Sequence, residues 1–527
     1  MRTTICDVEV CNLADFLRVV GSADPMLLLA GLARRSALLE RTEQDGALEN
    51  RLALAVLANG VLHAPQGARP RDGVRADYPR LLRLANGLTG QRSALTLTGR
   101  SLTEHNCRNI LRMCAQHESL LGPQLPGLAR TQMLLGRILP DVLGARPSPL
   151  DGLERATGLP FPEVRAAFFA LYAWMLQLDE RAVPRIVPRV FGATRKAEAY
   201  FRALAPFAKT ISDLAKTSTT TKAYGCGPRE DFQYAFSALR DYPIVMIDAE
   251  VAMVPVARFL SLVFSDGIYD FVREHMRDRE ASAMASFDQV FGEVAEEYVG
   301  RRVVHELGAG HYDRLKQLKG KLSPDGIISD DCVVEIKGKR LLRGILTTGE
   351  LLAATNYLGK EGLGYGVAQL LAEIGRTRSG RGRGLARERI DGVVPCLVTP
   401  DGFPGFHLAP IRRWVTDAFA TVIQRDFPDL AGELPALARL EWLSFDDVDR
   451  VAMAARAGKV SFGELLRRFR LEAPAPFDPV TDEFAPTIRT WTTNRYPELA
   501  RDAWLDDAFK EATEDVTSRL FDEVDVA

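Results

Sequence analysis

Asp325, Glu335 and Lys337 are the residues whose types and spacing best suit them to chemistry. They lie in SPDGIISDDCVVEIKGK, Ser323 to Lys339, which predicts two short strands joined by a tight turn. Ile327 and Ile328 are β-formers after Pro324-Asp325-Gly326, and Asp330-Asp331 is turn chemistry. Cys332 to Lys337 then forms a second strand, ended by Gly338. Side chains alternate along a strand, so Glu335 and Lys337 share one face while Val334 and Ile336 share the other. A carboxylate and an ammonium then stand side by side on a strand with an apolar back, and the neighbouring strand brings Asp325 across. Two converging carboxylates make an oxygen site suited to Mg²⁺, which needs few protein ligands and keeps its waters. A lysine beside it orients or deprotonates a water, or neutralises charge on a phosphate in flight.

The order Pro324-Asp325, a short gap, then Glu335-Ile336-Lys337 resembles the PD-(D/E)XK, or restriction-endonuclease-like, nuclease superfamily, over roughly residues 286–400. The resemblance implies a metal-dependent nuclease, with Mg²⁺ or Mn²⁺ held by Asp325 and Glu335 together with the carbonyl of Ile336 and a glutamate from the preceding helix. In the superfamily that helix often carries Gly and then Glu four residues on. Gly292 and Glu296 match, with Glu297 and Glu293 as the alternatives. Lys337 would position the attacking water. In several branches the helix after the Glu-x-Lys strand presents a glutamine, which here is Gln369. A tyrosine often follows four residues later, and here position 373 is Glu instead. A second Pro-Asp-Gly, at Pro400 to Gly402, has no Glu-x-Lys after it and reads as a plain turn.

The elements that must position these residues follow in the expected order. FDQVFGEVAEEYVGRRVV from Phe287 is an amphipathic helix with Phe287, Val290, Phe291, Val294 and Tyr298 as its stripe. Glu296 lies away from the centre of that stripe, and Glu297 nearer its edge. Val303 to Leu307 reads as the first core strand, ended by Gly308-Ala-Gly310. His305 and His311 flank that break without the spacing of a zinc site. The Asp325 and Glu335 strands come next, then a helix from Gly364 to Ile374 and a strand from Gly392 to Pro400. Half of the chain's lysines fall between Lys316 and Lys360, around the site. GRTRSGRGRGLARER, Gly375 to Arg389, reads as a loop too flexible and too charged to pack. Its Arg376, Arg378, Arg381 and Arg383, with Lys339 and Arg340 beside the motif, are the expected contacts to a phosphate backbone. Such contacts supply affinity rather than base reading.

The first 285 residues read as mostly helical, with apolar residues at helical spacing in Leu27–Leu32, Leu52–Val61, Leu81–Leu88, Leu134–Leu143, Val164–Leu178 and Ala197–Leu214. Ser101 to Glu104 resembles a capping box. PIVMID, Pro243 to Asp248, reads as a strand, and a helix is entered through Pro255. From about Arg412 the chain is helical again, with Ser444 capping one helix, another starting after Gly458, and an acidic helix from Leu505 to Val526. The expected fold is an α/β restriction-endonuclease-like core (286–410) flanked by large, mainly α-helical N- and C-terminal regions (1–285 and 411–527).

The 527 residues carry a formal charge of −2, so any nucleic-acid surface must be local. There is no apolar run long enough for a bilayer and no signal-peptide pattern. Seven cysteines are scattered without a Cys-x-x-Cys pair, which argues for free thiols in a reducing cytoplasm and against a cysteine-held cluster. No phosphate-binding Gly-x-x-x-x-Gly-Lys loop, His-Glu-x-x-His or Gly-x-Ser-x-Gly is present, and GLGYG at Gly362 to Gly366 does not match the dinucleotide fingerprint. The expected activity is phosphodiester hydrolysis in DNA, with RNA not excluded, in a setting such as bacterial defence or repair. The helical flanks would serve a protein partner or a homo-oligomer. The rival is a catalytically silent nucleic-acid-binding or scaffold protein using the same fold.

Overall fold

The computed structural model describes residues 13–42, 48–64, 77, 80–85, 124–144, 146–178, 184–191, 196–220, 237–248, 251–277, 281–315, 321–340, 351–382, 384–385, 387–472, 487–500 and 502–521. The chain is mostly helical, with two small mixed sheets. The Ser101–Glu104 cap lies outside the described residues.

The first sheet belongs to the N-terminal half. β1 (Ala208–Thr210) pairs parallel to β2 (Ile244–Met246), which pairs antiparallel to β3 (Ala252–Met253). PIVMID is thus a strand, as its β-branched residues predict. It interrupts the helix expected over Ala197–Leu214, because Ala208–Thr210 leave the helix to pair with it. A continuous helical path, Ala257–Leu262, Val263–Gly267 and Ile268–Arg277, then leads toward the second sheet. Among the described residues no single helix is long and apolar enough to cross a membrane.

The second sheet runs β4 (Tyr312–Arg314), β5 (Gly326–Ile328), β6 (Cys332–Ile336), β7 (Val394–Val398), β8 (Glu441–Leu443), in that spatial order. β4, β5 and β6 are an antiparallel meander, whereas β7 and β8 are parallel to β6. Ser329 (φ 53°) and Asp330 (φ 62°) occupy the left-handed region at the centre of the β5–β6 turn. That conformation twists a two-residue hairpin in the sense its strands require. β6 and β7 are buried on both faces and accordingly read as near-continuous apolar runs.

Each face has its own layer. Ile328, Cys332, Val334 and Ile336 pack with Val294, Tyr298 and Val303 of a long helix, Ala281–Leu307, and with Val448, Val451 and Ala452 of Phe445–Gly458. Ile327, Val333 and Leu397 pack with Val367, Leu370 and Ile374 of a cover helix, Tyr365–Arg378, and with Val415 and Phe419 of Ala409–Asp426. The last two helices are the crossovers that parallel pairing of β6, β7 and β8 demands.

Three expectations need correction. Val303–Leu307 is the end of the long helix, not a strand. Its burial keeps helical spacing through Val299, Arg302, Val303 and Glu306, and only Gly308, at φ 97°, stops it. The first strand is Tyr312–Arg314 instead. The boundary at 410/411 falls inside the core, because β8 and two packing helices come from beyond it. A three-residue strand, Glu-Trp-Leu, carries too little periodicity to be read between helices. The boundary at 285/286 falls inside the long helix. The acidic C-terminal helix, Ala503–Phe521, lies against the N-terminal helices, through Phe169–Phe509, Arg165–Asp515 and Arg519–Glu163. Ser444 does cap its helix, in a reciprocal box with Asp447.

Candidate active site

Asp325 stands at the entry to β5, and the Ile336 N–H donates to its Oδ2 at 2.7 Å. The side chain of one strand is thereby fixed on the backbone of the next, two residues from the β5–β6 register pair Gly326 and Val334. The Ile336 side chain points to the opposite, apolar face, as alternation requires. Glu335 is fully buried. Lys337 Nζ donates to its Oε1, while Oε2 has no protein hydrogen-bond partner. Lys337 Nζ also lies 3.5 Å from Gln369 Oε1, and Gln369 donates through Nε2 to the Ser323 carbonyl. The cover helix therefore touches both the lysine and the segment that leads into Asp325.

Glu296 is the glutamate of the long helix that faces this group. Its pKa is raised by burial and then by the Asp325 carboxylate, against the pull of Arg314, whose Nη2 lies 2.7 Å from Glu296 Oε2. Glu293 points elsewhere, paired with Arg146 at 2.7 Å, and Glu297 is bound to Arg301 at 2.8 Å with its other oxygen 3.5 Å from Arg314. The Gly292 spacing has a physical basis. A Cβ on Gly338 would come within 2.8 Å of Gly292 N and Phe291 O. The end of the Glu-x-Lys strand thus abuts the helix backbone there, and Glu296 follows about one turn later.

The electrostatics follow from burial. Desolvation lifts the Glu335 carboxyl well above the usual carboxylate range, and Asp325 adds to the rise. Desolvation also raises Asp325, against Lys337 and the Ile336 N–H. Burial pulls the Lys337 ammonium down, but Glu335 and Asp325 outweigh that and hold it above the ordinary lysine value. Three carboxylates face two cations, Lys337 and Arg314, so an excess negative charge is built in when all are ionised. In metal-free buffer, the stability of Glu335→Gln relative to wild type is expected to rise with pH, because the variant lacks the carboxyl whose ionisation burial opposes. The sign is set by linkage. A carboxyl with a raised folded-state pKa contributes its full stability below its unfolded pKa, and loses it as pH rises through the folded value. Melts of wild type and variant in EDTA at pH 5 and pH 8 check this. A gain no larger at pH 8 than at pH 5 would contradict it.

Among the described residues no group of three or more His, Cys, Asp or Glu side chains is gathered as a metal site. The donors nevertheless fit a hard cation. Glu335 Oε2 is a buried carboxyl oxygen without a protein partner, Asp325 is its neighbour across the strands, and Mg²⁺ takes one or two carboxylates and keeps its waters. Asp325, Glu335 and, on release from Arg314, Glu296 would hold it.

The expected phosphate contacts divide. Lys339 and Arg381 are exposed, and Arg378 is half-exposed between Asp391 and Glu433. Arg340 is bound bidentately to Asp401 of the second Pro-Asp-Gly turn and is nearly buried. Arg376 donates to Glu373 and, at 2.6 Å, to the Leu322 carbonyl. Both guanidiniums are thus spent on the fold, because a carboxylate stands beside each. Arg383 lies outside the described residues. The arginine-rich stretch is also less loop-like than its composition predicts. The cover helix continues to Arg378, Leu385 is buried, and Gly380 and Gly384 turn the chain at φ 77° and 76°. His305 pairs with Glu306, and His311 with Ser329.

Sequence reasoning missed Tyr312, Arg314, Ser323 and Gly366. A Cβ on Gly366 would lie 3.1 Å from Glu335 Cγ and 3.3 Å from Lys337 Cε, so this glycine lets the cover helix close onto the pair. The GLGYG run was its only trace in the sequence. Comparison with known proteins finds no matching family model, no matching curated protein and no matching solved structure, so the site's own chemistry carries the functional reading.

Proposed function

We propose that this chain is a Mg²⁺- or Mn²⁺-dependent phosphodiesterase that cuts DNA, on an α/β core of the restriction-endonuclease-like kind. The observation that carries the reading is the buried Glu335 carboxylate, half satisfied by Lys337 and half unpaired, beside Asp325 on the adjoining strand. An apolar core has no use for such a group, because a buried unpaired acceptor costs stability unless a ligand completes it.

A divalent ion bound there would polarise the scissile phosphate and stabilise the leaving oxygen. The remaining work falls to the chain itself. Asp325 and Glu335 offer oxygen ligands held by strand register and by the Ile336 N–H. Lys337, kept charged by both carboxylates, presents an ammonium that orients the attacking water and offsets charge gathering on the phosphate. Gln369 fixes the Ser323 carbonyl and leans on Lys337, limiting the ammonium's freedom. Lys339 and Arg381 supply cations for a nucleic-acid backbone, whose binding falls steeply with salt.

The test is incubation with linear, circular and single-stranded DNA and with RNA, in Mg²⁺, Mn²⁺ or EDTA, beside a folded Asp325→Asn protein. The expected result is cutting of DNA that EDTA and Asp325→Asn both remove. Cutting that survives in Asp325→Asn, or DNA binding without any cutting in either metal, would sink the proposal and favour a silent binding module.

A further inference from the structure

We propose that Tyr312 is a positioning residue of this site, its phenol O–H holding a water between the Asp325 and Glu296 carboxylates. The inference rests on the phosphodiesterase reading above and adds a residue that neither motif nor composition marks.

Tyr312 opens β4, two residues before the Arg314 that binds Glu296. Its ring is clamped between two elements that have each dispensed with a side chain. A Cβ on Gly300 of the long helix would come within 2.9 Å of ring atom Cε1. A Cβ on Gly326 of β5 would come within 3.0 Å of Cε2 and 3.1 Å of the hydroxyl oxygen. The hydroxyl is therefore delivered over the residue that follows Asp325. There it is buried and has no protein hydrogen-bond partner. Burial, then Asp325 and Glu296, raise the phenol's pKa, so it remains a donor at neutral pH. If the ring only filled space, phenylalanine would serve without the cost of an unsatisfied buried hydroxyl. A water taking the phenol proton as a hydrogen bond and giving its own two to the carboxylates has the three partners typical of buried water. It would fix the spacing of two carboxylates that otherwise repel each other.

The test compares Tyr312→Phe with wild type in three measurements: melting in EDTA, Mn²⁺ binding by calorimetry, and steady-state DNA cleavage. Phenylalanine keeps the ring between Gly300 and Gly326, so folding is preserved. The expected result is Mn²⁺ affinity weaker by about 10-fold, as for loss of a group that orients metal ligands. A fall in kcat without a rise in KM should accompany it, with no gain in Tm. Unchanged Mn²⁺ affinity with a raised Tm would overturn the inference, since that is what removal of an idle hydroxyl does. Wild type that binds Mn²⁺ while Tyr312→Phe matches it refutes this role alone. Wild type that neither binds Mn²⁺ nor cuts refutes the phosphodiesterase reading, and this role with it.

Discussion

Lys337→Ala is expected to lower DNA cleavage on the order of 10³-fold, the range seen when a positioned electrostatic or proton-handling group is removed, while leaving Mn²⁺ binding in place. The argument is geometric. Lys337 lies on the carboxylate face of β6, with Nζ on Glu335 Oε1 and within 3.5 Å of Gln369 Oε1. The cover helix approaches so closely that a Cβ on Gly366 would lie 3.3 Å from Lys337 Cε, tighter than an ordinary van der Waals contact. Truncation removes the one ammonium of the cluster and leaves the carboxylates that would hold the metal. Their charge is then less compensated, so the divalent ion should bind at least as tightly. Asp325→Asn should behave differently, losing cleavage and metal affinity together, because it removes a ligand. Calorimetric Mn²⁺ titrations and single-turnover cleavage separate the two. A Lys337→Ala protein that cuts within 10-fold of wild type would show that the lysine serves only to offset Glu335. Loss of metal binding in that variant would show that it holds the site together instead.

The carboxylate–lysine pair was legible because strand alternation is a strict two-residue rule: once Cys332 to Ile336 is a strand, Glu335 and Lys337 must share a face. The turn, the apolar back of Val334 and Ile336, and the helix bearing Gln369 were legible for similar local reasons. Glu296 could be ranked above Glu293 and Glu297 only through the Gly–Glu spacing of the superfamily that the motif resembles, since the apolar stripe favoured Glu297. The contact that makes the spacing meaningful, Gly338 against Gly292, is long-range and invisible in one sequence. The first strand was misplaced because Val303-Val304 is β-branched, and local propensity lost to a helix whose buried face runs on to Glu306. Arg340 looked free because its partner, Asp401, lies far along the chain, whereas Arg376 had a partner in reach, Glu373 three residues back on its own helix, besides the distant Leu322 carbonyl. The same blindness hid β8. Its pairing with β7 is earned by Trp442, packed against Tyr357, Phe403 and Phe419 and donating to Thr399, not by any pattern within its three residues.

Arg302→Ala is expected to destabilise the protein by about 3–5 kcal/mol, the cost of stripping a buried ion pair of one partner. Arg302 is 0% exposed. Its Nη1 and Nη2 donate to both oxygens of Asp502 at 2.9 and 2.6 Å, and Glu306 and Asp449 stand at 3.2 and 3.3 Å. Asp449 also accepts from Tyr298 and, at 2.8 Å, from Arg130. One guanidinium thus joins the long helix, the helix after β8 and the start of the C-terminal helix, while Arg130 ties in the N-terminal half. The truncation would leave the buried Asp502 without its cation and Asp449 with Arg130 alone, while Glu306 keeps Arg456 at 2.9 Å and His305. Arg302→Met, which fills more of the volume, should recover little, because the loss is of charge rather than of packing. Asp502→Asn on the Arg302→Met background should recover more, since it removes the orphaned anion. Urea melts of the two single variants and the double variant decide it. If the double is no more stable than Arg302→Met, the four-element ion network is not what holds the C-terminal helix against the long helix. Should the coupling be found, Glu296 and the C-terminal helix are anchored through one helix, Ala281–Leu307, and the helical flanks become part of what keeps Glu296 beside Asp325.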